Sequence, residues 1–317
     1  MLVSGFLIIA GFVSLIFGAN WLVDGASSLA KKHHISDLAI GLTIVAFGTS
    51  APELVVNAIA SYQGYSDIVL GNIIGSNNFN LFIILGLAGL IFPISVQSST
   101  VWREIPISFF AALILLLIGN EVFISEFPEV SRLDGLLLIV LFALFLFYVY
   151  KQMKTEESST TAYKEKSNAK IWLLIAGGFA GLIIGGQLVV NNSISLATSM
   201  GISEKIIGLT IVAAGTSLPE LVTSVVAAMK KNSDIAIGNV VGSNVFNILL
   251  ILSVSAFIKP IGYNANFNLD IAILLGGTLF LFIAMFTGKR KKLDRWEAGL
   301  LLSFYLVYTI YLVYKEL

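Results

Sequence analysis

Two carboxylates stand out as the groups in this sequence that could do chemistry. Glu53 closes the stretch Gly41-Leu-Thr-Ile-Val-Ala-Phe-Gly-Thr-Ser-Ala-Pro-Glu53, and Glu220 closes Gly208-Leu-Thr-Ile-Val-Ala-Ala-Gly-Thr-Ser-Leu-Pro-Glu220. A second polar run follows each, Gly71-Asn-Ile-Ile-Gly-Ser-Asn-Asn-Phe-Asn80 and Gly238-Asn-Val-Val-Gly-Ser-Asn-Val-Phe-Asn247. A constant offset of 167 residues relates the copies without a gap, with 24 identities in 40 positions. On a helix, Thr49 and Ser50 share a face with Glu53, and Thr216, Ser217 and Glu220 repeat the spacing. Ser76 and Asn80 are four apart, as are Ser243 and Asn247. Hydroxyl, amide and carboxylate oxygens together are the ligand set of a hard cation such as Ca²⁺.

The setting is apolar. Of 317 residues 57% are hydrophobic and 12% charged, with a mean hydropathy of +0.91, about half the charged share of soluble domains. A carboxylate at mid-bilayer costs roughly 2.5–3.5 kcal/mol or more. No Lys, Arg or His lies deep enough in an apolar span to neutralise Glu53 or Glu220, Lys205 falling at the outer edge of 204–229, so the missing positive charge is a mobile one, a cation or protons. Two carboxylates and one Ca²⁺ make a neutral complex, and several Na⁺ could compete for the same oxygens.

The elements that must position these groups are transmembrane helices, each needing roughly 20 apolar residues. Spans are expected at 2–23, 37–61, 67–92, 104–120, 133–150, 171–190, 204–229, 234–258, 269–287 and 296–314. The N-terminal span lacks a basic flank and has an internal counterpart at the same offset, so it reads as part of the fold rather than a cleaved signal. A polar linker, 151–170, separates a first half, 1–150, from a second, 171–317. With both termini outside, cytoplasmic segments hold 15 Lys and Arg against 4 outside, the asymmetry that sets orientation. Five spans per half then force the halves into opposite orientations. The expected fold class is thus an all-α polytopic membrane protein of ten transmembrane helices in two inverted five-helix repeats. Matching polar, interrupted helices in inverted repeats mark a secondary transporter. Pro52 and Pro219 cannot donate to the carbonyls of Gly48 and Gly215, which is expected to loosen the turns around Ala46 and Ala213. Gly71/Gly75 and Gly238/Gly242 have the spacing of close helix packing.

Gly-Thr-Ser-x-Pro-Glu paired with Gly-Ser-x-x-x-Asn, present twice, resembles the α-repeats of the Na⁺/Ca²⁺ exchanger family in the cation/Ca²⁺ exchanger superfamily, here in a short prokaryotic-type form. The resemblance covers in effect the whole chain. It implies a ten-helix fold and exchange of Na⁺ for Ca²⁺. It also implies a ligand set of Glu53, Glu220, Thr49, Thr216, Ser50, Ser217, Ser76, Ser243, Asn80 and Asn247, with carbonyls from Ala46 and Ala213. Branches that include the K⁺-dependent one carry Asp where this chain has Asn247, so K⁺ co-transport is not expected. The H⁺/Ca²⁺ branch typically has Asn where the Thr-Ser pairs stand here, which favours Na⁺ coupling. The linker is too short for the Ca²⁺-sensing domains of animal exchangers.

The remaining polar residues carry blander readings. Asn20, Asn57, Asn77 and Asn191 are ambiguous between bridging helices and supporting ligands, while Asn72 and Asn239 rank higher because both copies have them. His33-His34 reads as a solvated loop, and Trp102, Trp172 and Trp296 as interfacial anchors. There is no cysteine, which excludes disulfides, thiolate metal sites and cysteine nucleophiles. Zero net charge gives no basic surface for nucleic acid. No cofactor, enzymatic activity or protein partner is expected, and the chain is expected to act as a monomer in the lipid bilayer of the cell membrane. An H⁺/Ca²⁺ exchanger on the same glutamates is the alternative, and a cation channel a remoter one.

Overall fold

The computed structural model describes residues 2–120, 128–153, 166–199, 213–288 and 290–316. The apolar sequence folds as helices because backbone N–H and C=O groups in lipid have only each other to bond. In chain order these are α1 (Leu2–His33), α2 (Asp37–Thr49), α3 (Ala51–Gln63), α4 (Ser66–Ile91), α5 (Thr100–Gly119), α6 (Arg132–Met153), α7 (Asn168–Ser199), α8 (Leu218–Met229), α9 (Ser233–Ile258), α10 (Phe267–Ala284) and α11 (Arg295–Glu316). A single helical turn, Ala213–Gly215, precedes α8. Among the described residues seven helices are long and apolar enough to cross a membrane. The pair α2 and α3, bent by 47° at Ser50, makes an eighth if it is one crossing. The span expected at 204–229 is described only from residue 213, where it contains α8; the one expected at 296–314 is the helix α11.

Equivalent helices of the two halves run antiparallel where they touch. Along α1, Gly11 meets Gly185 and Val189, Gly18 meets Gly178 and Leu182, and Gly25 meets Ile175. A Cβ on Gly18 would lie 2.8 Å from the backbone nitrogen of Leu182 and 2.9 Å from the Gly178 carbonyl. Small residues thus bring the two backbones into contact, as in lipid-embedded pairs held by van der Waals packing. The buried apolar side chains fall into two clusters. One is built on α1 and α7 with edges of α2, α8 and α9, and the other on the remaining helices.

Two short antiparallel ribbons join the halves. Ile94–Ser95 (β1) pairs with Lys292–Leu293 (β4), and Glu129–Val130 (β2) with Ile261–Gly262 (β3). Ser66 Oγ, at the start of α4, accepts from the Gly262 N–H at 3.1 Å, and Ser233 Oγ, at the start of α9, accepts from the Ser95 N–H at 3.3 Å. Because β1 follows the end of α4 while β3 sits at its beginning, the ribbons lie at opposite ends of the bundle.

Candidate functional site

Glu53 is the third residue of α3 and Glu220 the third of α8, each preceded by its proline. A proline in the first helical turn removes an N–H that has no partner there anyway, and a carboxylate in that turn suits the positive end of the helix dipole. The loosened turn expected around Ala46 is present as a π-helical stretch, Gly41–Val45, closed by the Ala46 N–H on the Gly41 carbonyl. The sharper break comes further on, at Ser50 (φ −83°, ψ 5°) and Ser217 (φ −89°, ψ 9°). Both serines sit in the sparsely populated bridge region, and one helix ends there as the next begins. The Ala46 carbonyl accepts from the Ser50 N–H at 3.0 Å, and Thr49 Oγ1 lies 3.3 Å from it. Ala213 lies in the helical turn before α8.

The expected ligands come together by bonds that run from one half to the other. Ser50 Oγ donates to Glu220 Oε1 at 2.9 Å, and Ser217 Oγ donates to Glu53 Oε1 at 3.2 Å. Ser217 Oγ also lies 3.1 Å from Ser76 Oγ. Thr49 Oγ1 donates to Asn239 Oδ1 at 3.0 Å, and Thr216 Oγ1 to Asn72 Oδ1 at 3.3 Å. All but one of these hydroxyl and carboxylate groups are buried, the half-exposed Thr216 being the exception. Asn239 further donates to the Glu220 carbonyl and to Ser224, so the higher rank given to Asn72 and Asn239 rests on real contacts with the site.

Asn80 and Asn247 sit where α4 and α9 widen into a π-helical turn, Phe79–Ile84 and Phe246–Ile251. Their carbonyls accept from the N–H five residues on, Leu85 and Leu252. Such single widened turns are frequent at functional sites; nothing in the apolar sequence around them announces one. Asn80 Nδ2 donates to Asn244 Oδ1, and Asn247 Nδ2 to Asn77 Oδ1, both at 3.0 Å. Five buried oxygens of the expected set, Glu53 Oε2, Glu220 Oε2, Ser243 Oγ, Asn80 Oδ1 and Asn247 Oδ1, have no hydrogen-bond partner among the described residues.

The electrostatics are those of a negative, oxygen-lined interior. Glu53 and Glu220 lie within electrostatic reach of each other. Among the described residues neither has a Lys, Arg or His partner, and the ion pair Lys230–Asp24 lies at the exposed surface. No three His, Cys, Asp or Glu side chains converge among the described residues. Formal charge at the site therefore comes from two carboxylates, with neutral oxygens completing it. That arrangement can hold a desolvated cation without gripping it as a structural site with three or more acids would.

Three further acids are held by hydroxyls away from the site, Glu104 and Glu297 fully buried and Asp270 half-buried, and their burial is not evident from sequence. Glu104 accepts from Tyr148 and Asp270 from Tyr308, each linking the fourth predicted helix of its half to the fifth. Glu297 accepts from Thr287. Their positions near helix starts hide them from a hydropathy reading, and their hydroxyl partners lie 10 to 44 residues away.

Comparison with known proteins gives the family. The model of the sodium/calcium exchanger protein family matches residues 3–151 and 170–314. The chain belongs to the sodium/calcium exchanger family, and is a membrane transport protein. It is similar to the sodium/calcium exchanger MaX1 of Methanosarcina acetivorans, 33% identical over 351 residues that cover 99% of this chain and 100% of that one. It is also similar to the inner membrane protein YrbG of Escherichia coli, 35% identical over 272 residues, 82% of this chain and 81% of that one. The solved structure of the sodium-calcium exchanger NCX_Mj soaked with zero Na⁺ and Ca²⁺ matches with a TM-score of 0.85 at 31% identity, covering 98% of this chain and 100% of that one.

Proposed function

We propose that the chain exchanges Na⁺ for Ca²⁺ across the cell membrane by alternating access at the site around Glu53 and Glu220. The observation that carries this reading is the reciprocal pair of bonds, Ser50 to Glu220 and Ser217 to Glu53, between two buried acids with no basic partner among the described residues. The names of MaX1 and NCX_Mj, both sodium/calcium exchangers, point the same way. Ca²⁺ would be held by Glu53, Glu220 and the oxygens of Thr49, Thr216, Ser50, Ser217, Ser76, Ser243, Asn80 and Asn247, with the carbonyls of Ala46 and Ala213. Several Na⁺ would take subsets of the same oxygens. A doubly negative site without a cation crosses lipid at high cost, so each passage carries ions and the device exchanges rather than leaks.

The architecture in this reading is ten crossings in two inverted repeats, 1–150 and 171–317, joined by the cytoplasmic segment 151–170, with both termini outside. The antiparallel meeting of α1 with α7 and the two ribbons at opposite ends support it. The glycine-packed pair α1 and α7, with an apolar cluster largely its own, is the unit that moves against the rest. The protein acts as a monomer and needs no cofactor.

Flux in sealed proteoliposomes tests the proposal, with Na⁺, K⁺ and H⁺ gradients imposed one at a time. Only an outward Na⁺ gradient should drive uptake of radioactive Ca²⁺, and Glu53→Gln or Glu220→Gln should abolish it. Uptake driven by H⁺ alone would make the protein an H⁺/Ca²⁺ exchanger on the same glutamates. Ca²⁺ entry without any counter-ion would make it a channel.

A further inference from the structure

We infer that Asn77 and Asn244 are positioning residues that fix which end of the Asn80 and Asn247 amides faces the cation. An asparagine amide is nearly symmetric in shape but not in chemistry: one end is an acceptor oxygen, the other a nitrogen with two donors. Turned the wrong way, Asn80 or Asn247 would aim positive N–H groups at the ion. Something must decide the sense of each amide.

The backbone decides it. Asn77 Nδ2 donates to the Asn244 main-chain carbonyl at 3.3 Å. A backbone carbonyl only accepts, so that end of Asn77 has to be its nitrogen. The other end is then the oxygen, and it accepts from Asn247 Nδ2 at 3.0 Å. The Asn247 nitrogen is thereby spent on Asn77, which leaves Asn247 Oδ1 pointing away from it, buried and without a partner among the described residues. The mirror chain runs from the other half. Asn244 Nδ2 donates to the Asn77 carbonyl at 3.3 Å, and its Oδ1 accepts from Asn80 Nδ2 at 3.0 Å, which turns Asn80 Oδ1 outward in the same way. All four side chains are buried, and flipping any one would set oxygen against oxygen and nitrogen against nitrogen.

The two liberated oxygens belong to the ion chamber. Ser76, one turn before Asn80 on α4, touches Ser217, and Ser217 touches Glu53. The cargo these oxygens suit is a hard metal cation, and the inference rests on the exchange reading only in taking Ca²⁺ as the probe. Partners of this kind tune affinity without touching the ion, typically by about 10–100-fold when removed.

A carboxylate offers the test, because it presents an oxygen whichever way it turns. Equilibrium binding of radioactive Ca²⁺ to the detergent-solubilised full chain is measured for the wild type, Asn77→Ala, Asn247→Asp and the double variant. Asn77→Ala should weaken Ca²⁺ binding by about tenfold or more when Asn247 is intact, and should leave it unchanged or tighter in the Asn247→Asp background. Equal weakening in both backgrounds would make Asn77 a purely structural residue and overturn the inference, as would no effect on the wild-type background. Any packing lost with Asn77 is common to both arms and cancels. Should Asn77→Ala not fold, Asn244→Ala with Asn80→Asp is the same cycle in the other half. Wild-type protein that binds no Ca²⁺ would sink both readings; binding with the expected cycle but without Na⁺-driven flux would sink the exchange reading alone.

Discussion

The Ser50 hydroxyl donates to Glu220 across 170 residues of sequence, and the Ser217 hydroxyl returns the bond to Glu53 across 164. Neither half of the chain contains a complete site. Each supplies one acid and the hydroxyl that holds the other half's acid.

Removing either hydroxyl should therefore have similar consequences. A hydrogen bond to a charged group contributes roughly 1.5–3 kcal/mol. Ser50→Ala and Ser217→Ala should each raise the Ca²⁺ concentration for half-maximal uptake by about tenfold or more, the ~1.4 kcal/mol step per decade setting the scale. A strong effect from one and none from the other would contradict the reciprocity.

On the exchange reading Ca²⁺ itself should stabilise the fold, since it would bind oxygens that only the folded chain assembles. At one hundred times its dissociation constant the gain is about 2.7 kcal/mol. Thermal unfolding in detergent should shift upward with added Ca²⁺ and back with a chelator. Glu53→Gln should remove the shift while the ion-free protein still unfolds cooperatively.

The buried acids outside the site should behave differently. Tyr148→Phe takes from Glu104, fully buried, the hydroxyl it accepts from. Losing a donor to a buried polar group costs about 1–3 kcal/mol. The unfolding temperature should fall, and the Ca²⁺ affinity measured by binding should not move.

The glycine pairing of α1 and α7 offers a steric test. Gly18→Val places new atoms against the Leu182 nitrogen and the Gly178 carbonyl, which cannot swing aside as side chains do. Overpacking of this kind costs about 1–3 kcal/mol or more, so both stability and uptake should drop. Gly5→Ala on the same helix, with no atom within 4 Å of the added methyl, is the control and should change neither.

Much of the site was legible in the sequence because duplication turns weak signals into strong ones. Glu53 and Glu220 read as functional since an acid in an apolar span needs a reason, and the hydroxyls at three and four residues' spacing came with them. From sequence Asn77 is only one of several ambiguous amides, and nothing singles out Asn244. Their meaning lies in bonds of 164 to 170 residues' separation, between helices that no local pattern aligns. Gly238 and Gly242 do pack tightly, against Gly41 and Ala46. Among the described residues, a Cβ on Gly71 would meet only the Phe267 ring, at 3.8 Å, and one on Gly75 nothing within 4 Å, so no close packing is seen at that pair. The widened turns at Phe79 and Phe246 were not legible either, since a π-turn and an α-turn draw on the same apolar residues.

The two small ribbons, one at each end of the bundle, act as clasps. They join the loop after α4 to the loop before α11, and the loop before α6 to the loop after α9. A frame fastened top and bottom has no loose rim from which to spread. The long pair α1 and α7 takes no part in either clasp, and the exchange proposed above would use it as a slat sliding along a closed case.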